Sequence, residues 1–130
     1  MKFQKIGIAK ELESEENPGG YDQRVILCPT NIRRLVEYGC QVSVHESAGV
    51  GIGYSDDDYI SAGAVIESHN RFYSNKDLII KYKGPSQQNI KSITPKSTIL
   101  CMAHLAAFPH RRLSLEKRQI NVLAMESIRE

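Results

Sequence analysis

The chain has 130 residues, of which 41% are hydrophobic and 25% charged, with a net charge of +2 at neutral pH. That length suits one domain around one core, and the composition is that of a globular protein. Near-balanced, interspersed charges exclude the broad basic footprint of a nucleic-acid or membrane-surface binder. MKFQKIGIAKE lacks the apolar core of a secretory signal, and no apolar run approaches the length of a membrane span.

FQKIGIA reads as the first strand, and ELESEENPGGYDQ after it as a polar surface loop. In PTNIRRLVEYG, Ile32, Leu35 and Val36 share a helix face, with Thr30 as a candidate cap and Gly39 as a stop. The strand QVSVH leads into the glycine-rich turn AGVGIGY. The helix SDDDYISAG follows, with a capping-box-like spacing of Ser55 and Asp58, three acidic residues in its first turn, and Gly63 at its end. AVI, DLIIKYK, STILCMA and NVLAM read as further strands. SHNRFYSN and PSQQNIKSI are weaker helix or turn segments, and PHRRLSLEKRQ is a helix with Pro109 near its entrance. The locally basic run His110 to Arg118 reads as the solvated face of that helix. Cys28, Cys40 and Cys101 lie far apart among apolar neighbours. They have no metal-ligand spacing, cannot all pair internally, and read as buried thiols of a reducing cytoplasm.

The repeated β-α-β pattern predicts an α/β domain, a mostly parallel sheet with helices on both faces, of the flavodoxin-like or Rossmann-like three-layer kind. Functional groups of such sheets gather at the carboxyl ends of the strands. AGVGIGY suggests a phosphate loop, but its spacing is G-x-G-x-G rather than G-x-G-x-x-G, and SDDD follows where a pyrophosphate needs positive potential. The glycines therefore read as a tight, closely packed turn.

Three positions suit chemistry better. Arg24, between a polar loop and VILCP, is either a two-pronged carboxylate clamp or one half of a surface ion pair. Lys83 ends DLIIKYK, on the same side of an extended strand as Lys81. It can neutralise a carboxylate or polarise a carbonyl oxygen, or simply be a solvated charge. His104 follows STILCMA among small and apolar residues, a place for proton transfer or for a hydrogen-bonded structural imidazole. His45, His69 and His110 have no partners legible in the sequence. A carboxylate clamp, a cation and a proton shuttle together suit a small oxo or amino acid.

With these residues in view, the chain resembles the N-terminal domain of the alanine dehydrogenase and pyridine nucleotide transhydrogenase family. KIGIAKE, QRVILCP, ESAGVGIGYSDDDYISAGAVI, DLIIKYKGP, HLAAFP and NVLAMESI carry the likeness in order along nearly the whole chain. The resemblance implies a two-domain, NAD(P)-linked oxidoreductase. Residues at the positions of Arg24 and Lys83 would bind the carboxylate and oxo ends of the substrate, and one at His104 would act as acid and base. The nucleotide would be held mainly by a following Rossmann domain that also supplies a catalytic aspartate, so no cofactor-binding residue is expected within 1–130. The presence of Lys83 and His104 favours the dehydrogenase branch over the transhydrogenase branch. There are departures: the loop with NPGGYD is longer than in alanine dehydrogenases, RVILCP replaces the usual Arg-Val-Ala-x-Thr-Pro, and Gly84 stands where glutamate is common.

The expectation is therefore the substrate domain of an NAD(P)-dependent amino-acid dehydrogenase, cytoplasmic, with a small oxo or amino acid and a downstream Rossmann domain as partners and a homo-oligomer left open as its assembly. Neither a metal, nor nucleic acid, nor a membrane is expected to take part. The 130 residues alone would not catalyse the reaction. Relatives resembling saccharopine dehydrogenase or carboxyethylornithine synthase remain alternatives, as does a stand-alone, non-catalytic binding module.

Overall fold

The computed structural model describes residues 3–128. Its strands are β1 (Lys5–Ile8), β2 (Gln41–His45), β3 (Val65–Glu67), β4 (Leu78–Lys83), β5 (Thr98–Met102) and β6 (Asn121–Ala124). The helices are α1 (Pro29–Glu37), α2 (Asp56–Ser61), α3 (His69–Phe72), α4 (Gln87–Ser92) and α5 (Pro109–Arg118). All six expected strands are present: β2 matches QVSVH, β3 is AVI shifted by one residue, and the other four are a residue or more shorter than their expected runs. The sheet order is β3-β2-β1-β4-β5-β6 and every neighbouring pair is parallel. This is the Rossmann-like order rather than the flavodoxin-like one.

The near-continuous apolar strands bury both faces. On one side Ile6, Ile8, Val42, Val44 and Ile80 pack with Ile32 of α1 and Tyr59 of α2. On the other, Ile79, Ile99 and Cys101 pack with Phe72 of α3, Ile90 of α4 and Leu115 of α5. Each fully buried branched or aromatic side chain stabilises the fold by about 1.5–3 kcal/mol.

Local signals set the helix ends. Ser55 Oγ accepts the Asp58 N–H at 3.2 Å and Asp58 Oδ2 accepts the Ser55 N–H at 2.8 Å, the reciprocal cap that the spacing announces. The weaker segment PSQQNIKSI forms α4 through the same device, with Ser86 and Asn89 exchanging bonds at 3.1 Å. Gly39 and Gly63 follow α1 and α2 as expected.

Four expectations need correction. Thr30 does not cap α1: the cap is Cys28, whose N–H donates to Asn31 Oδ1 at 3.0 Å. Pro29 sits at the first helical position, where its fixed φ and missing N–H suit it, and this moves the boundary back. The polar loop is not wholly at the surface, because Glu11 and Asn17 are buried. Arg111 of the basic helix is buried as well. Of the three cysteines only Cys101 is buried; Cys28 and Cys40 are half-buried.

Candidate functional site

The chain runs outward through β1, β2 and β3, then crosses back to place β4 on the other flank of β1. The crevice at the carboxyl ends of β1 and β4 is thus the topological switch point, where such sheets bind ligands. Glu11, just past β1, enters it. Its two oxygens lie 2.8 and 3.0 Å from Lys81 Nζ, and Oε1 also accepts the Lys83 backbone N–H at 2.8 Å. Both members of the ion pair are buried. The β4–β5 pairing shifts register between Ile80 and Lys83, and Glu11 satisfies the backbone at that irregularity. Lys81 and Lys83 accordingly differ in surroundings: Lys81 is a paired core charge, whereas the Lys83 side chain is 23% exposed.

Asp22 brings Arg24 and Lys83 together. Arg24 Nε and Nη2 donate to Asp22 Oδ1 and Oδ2 at 3.0 and 2.6 Å, and Lys83 Nζ is 3.6 Å from the same Oδ2. The Arg24 hydrogen bonds hold the Asp22 carboxyl down at about 2. The guanidinium also stacks on the Tyr82 ring, 3.9 Å from its centroid. Arg24 is therefore an oriented, half-exposed arginine in an ion pair, with Nη1 making no hydrogen bond among the described residues.

His104 lies at the neighbouring strand end. Lys83 pairs with Met102, so His104 follows two residues past that partner on the same edge of the sheet. It adopts a left-handed φ of 45°. Glu126, beyond β6, accepts the Ala103 and His104 N–H groups at 2.9 and 2.6 Å, and its Oε2 is 3.7 Å from His104 Nδ1. Burial opposes the Glu126 charge, but the N–H groups of His104, Glu126 and Ala103 together hold its carboxyl below the ordinary range.

The glycine-rich turn has a packing role. A Cβ on Gly51 would collide with the Gln23 side chain, and one on Gly49 would lie 2.6 Å from the Tyr59 ring. Several of the turn's amides have acceptors: Val50 donates to Ser47 O, Ile52 and Tyr54 donate to Gly49 O, Gly53 donates to Val50 O, and the Ser47 N–H just before the turn donates to Asp56 Oδ1 at 2.9 Å. With those donors engaged and Asp56, Asp57 and Asp58 opening the next helix, the turn is a poor fit for a pyrophosphate. It closes instead a cleft of about 280 Å³ with Lys10, Glu11 and Gln23, next to Arg24. A groove of about 990 Å³ lies away from these charges, along Lys5, Gln41, Ser43, Val65 and Arg71. Chemistry rather than volume marks the site.

Elsewhere, His45 and His69 have found partners. His45 Nε2 is 3.3 Å from His69 Nδ1, and His45 Nδ1 accepts the Lys10 N–H at 3.3 Å. Burial, then His69, Lys10 and Lys81, pull the His45 imidazole down to about 4.

Sequence reasoning thus missed Glu11, Asp22, Arg111 and Glu126. Asp22 had a signal, since an aspartate two residues before an arginine can fold back onto it. The others did not, because their partners are remote in sequence.

Fold and charges define a Rossmann-like α/β domain with a cationic site at its switch point. The chain belongs to the family described as "Alanine dehydrogenase/PNT, N-terminal domain", whose model matches residues 7–130. An alanine dehydrogenase of Staphylococcus saprophyticus is 32% identical over 123 residues, 95% of this chain and 32% of the relative. One from Bacillus subtilis is 29% identical over 125 residues, 96% of this chain and 32% of the relative. The chain therefore spans about a third of the length of these curated relatives. Among solved structures, an L-alanine dehydrogenase superposes with a TM-score of 0.82 at 28% identity, covering 93% of this chain and 32% of the other. A transhydrogenase from Sinorhizobium meliloti gives 0.83 at 24% identity, covering 95% and 35%, a likeness of fold.

Proposed function

We propose that this chain is the substrate domain of an NAD(P)-dependent amino-acid dehydrogenase that interconverts a small oxo acid and its amino acid. The observation that carries the reading is the convergence of Arg24 and Lys83 on one carboxylate, that of Asp22, at the switch point. Two cations that hold a carboxylate of the protein have the spacing to hold one from a ligand. In this reading Arg24 offers its free Nη1 side to the substrate carboxylate, with Tyr82 and Asp22 fixing the plane of the guanidinium. Lys83 places its ammonium against the oxo oxygen and favours the charge that develops there. His104 moves a proton to or from that oxygen or the nitrogen that replaces it, steadied by Glu126.

The nicotinamide would exchange hydride with the α-carbon of the substrate. It would be held mainly by a Rossmann domain outside these residues, in keeping with a glycine turn that has several donors engaged and acidic residues beside it. Titrating the chain with pyruvate while following the Arg24 Nε–H and the His104 ring by NMR tests the site. An Arg24→Ala variant is expected to lose about tenfold or more in affinity, the scale of one charge-assisted bidentate contact. An equal response from wild type and variant would sink the clamp.

A further inference from the structure

Arg111 stands out among the charges that this function does not use. It is the third residue of α5, in a run that reads as solvated, yet it is 6% exposed. Its Nε donates to Pro85 O at 3.0 Å and its Nη1 to Ala103 O at 2.8 Å. Its Nη2 meets Glu16 as an ion pair, and the guanidinium lies over the Phe108 ring, 4.4 Å from the centroid. A Cβ on Gly84 would collide with the guanidinium, so the glycine at this position makes the room.

Three of these contacts lead to residues of the proposed site. Pro85 and Gly84 directly follow Lys83, and Ala103 directly precedes His104. Glu16 precedes Asn17, whose Nδ2 donates to Leu12 O and Asp22 O at 3.0 Å and whose Oδ1 accepts the Asp22 N–H at 2.8 Å. Asp22 in turn holds Arg24 and faces Lys83. A buried guanidinium is tolerated only when its charge and donors are matched. Its planar fork can serve three segments at fixed angles, which a lysine's point charge cannot.

We propose that Arg111 is the positioning residue of this site: one buried guanidinium ties the loop after β1, the end of β4 and the end of β5 into a frame that sets Arg24, Lys83 and His104. The proposal rests on the functional reading of those three residues given above. Glu16 is the arm that clamps the long loop, and Gly84 is the gap that admits the guanidinium.

Three variants of the whole chain test it. Arg111→Lys keeps the charge and loses the fork, Glu16→Gln removes the loop's counter-charge, and Gly84→Ala pushes a methyl into the guanidinium's place. Amide hydrogen exchange, the pH titration of the His104 ring and pyruvate affinity are measured for each and for wild type. Arg111→Lys and Gly84→Ala are expected to speed exchange at the Gly20 and Asp22 amides by about tenfold or more, with Ile79 and Ile99 still protected. Both are expected to move the His104 titration and to weaken pyruvate by about tenfold. Glu16→Gln is expected to free the loop and weaken pyruvate while His104 titrates as in wild type, a split that a merely structural residue does not produce. Wild-type loop exchange and His104 titration in Arg111→Lys or Gly84→Ala would overturn the proposal, as would a uniform loss of protection across the sheet. Failure of wild type to bind pyruvate would overturn the functional reading instead, and the exchange and ring titration would still decide the role of Arg111.

Discussion

Replacing Glu11 by glutamine leaves the Lys81 ammonium buried without its counter-charge. Both residues are under a tenth exposed, and their charged atoms are 2.8 Å apart. At that distance and an effective dielectric of about 20, the attraction is about 6 kcal/mol. The amide keeps a partial dipole toward Lys81 and can still accept the Lys83 N–H, so part of that figure survives. Removing one member of a buried pair costs about 3–5 kcal/mol. Domains of this size are stable by about 5–15 kcal/mol, so Glu11→Gln is expected to leave the fold near its margin. The double variant Glu11→Gln/Lys81→Met removes both charges and is expected to recover at least half of the loss, with a coupling of about 2–3 kcal/mol. Urea unfolding followed by circular dichroism, on wild type, both single variants and the double, completes the cycle. A Glu11→Gln loss below about 1 kcal/mol, or a double variant no more stable than the worse single, would refute the reasoning.

Three further predictions concern other parts of the molecule. Gly51→Ala drives a methyl into Gln23 and is expected to destabilise by about 1–3 kcal/mol, as overpacking does. Gln23→Gly in the same chain is expected to restore the urea midpoint, and a Gly51→Ala midpoint equal to wild type would show that the turn has room. His45 titrates at about 4 when folded against an ordinary 6.5. The unfolded chain therefore takes up a proton that the folded one refuses, and stability is expected to fall as the pH drops from about 6.5 toward 4. His45→Gln should flatten that slope in urea midpoints taken at pH 7 and pH 5; an unchanged slope assigns it to other groups. The Cys101 thiol is pushed up to about 12 by burial, whereas hydrogen bonding, first from Asn31, lowers that of half-buried Cys28. A thiol reagent should thus modify Cys28 in the native chain and reach Cys101 only in urea, and peptide mapping that finds Cys101 modified first would contradict that assignment.

Signals that act within a few residues were legible in the chain itself. Apolar runs such as DLIIK and STILC mark buried parallel strands, because a strand covered on both faces has no polar side to alternate. Ser55 and Asp58 announce a cap that closes over three residues. Arg24 can be placed in a loop and Lys83 and His104 at strand ends from their neighbours alone, and the first two do meet, through Asp22. The surroundings of those residues could not be read in the same way. Glu11 and Lys81 are 70 positions apart, and they touch only because β4 returns to lie beside β1. Arg111 sits in a run as charged as any solvated helix face, and its burial follows from where α5 packs against Pro85, Ala103 and Glu16. Local sequence determined the strands, the Ser55 cap and the candidate site residues. The strand order decided which distant charges were buried together, since pairing between remote segments leaves no periodicity in the chain for a reader to find.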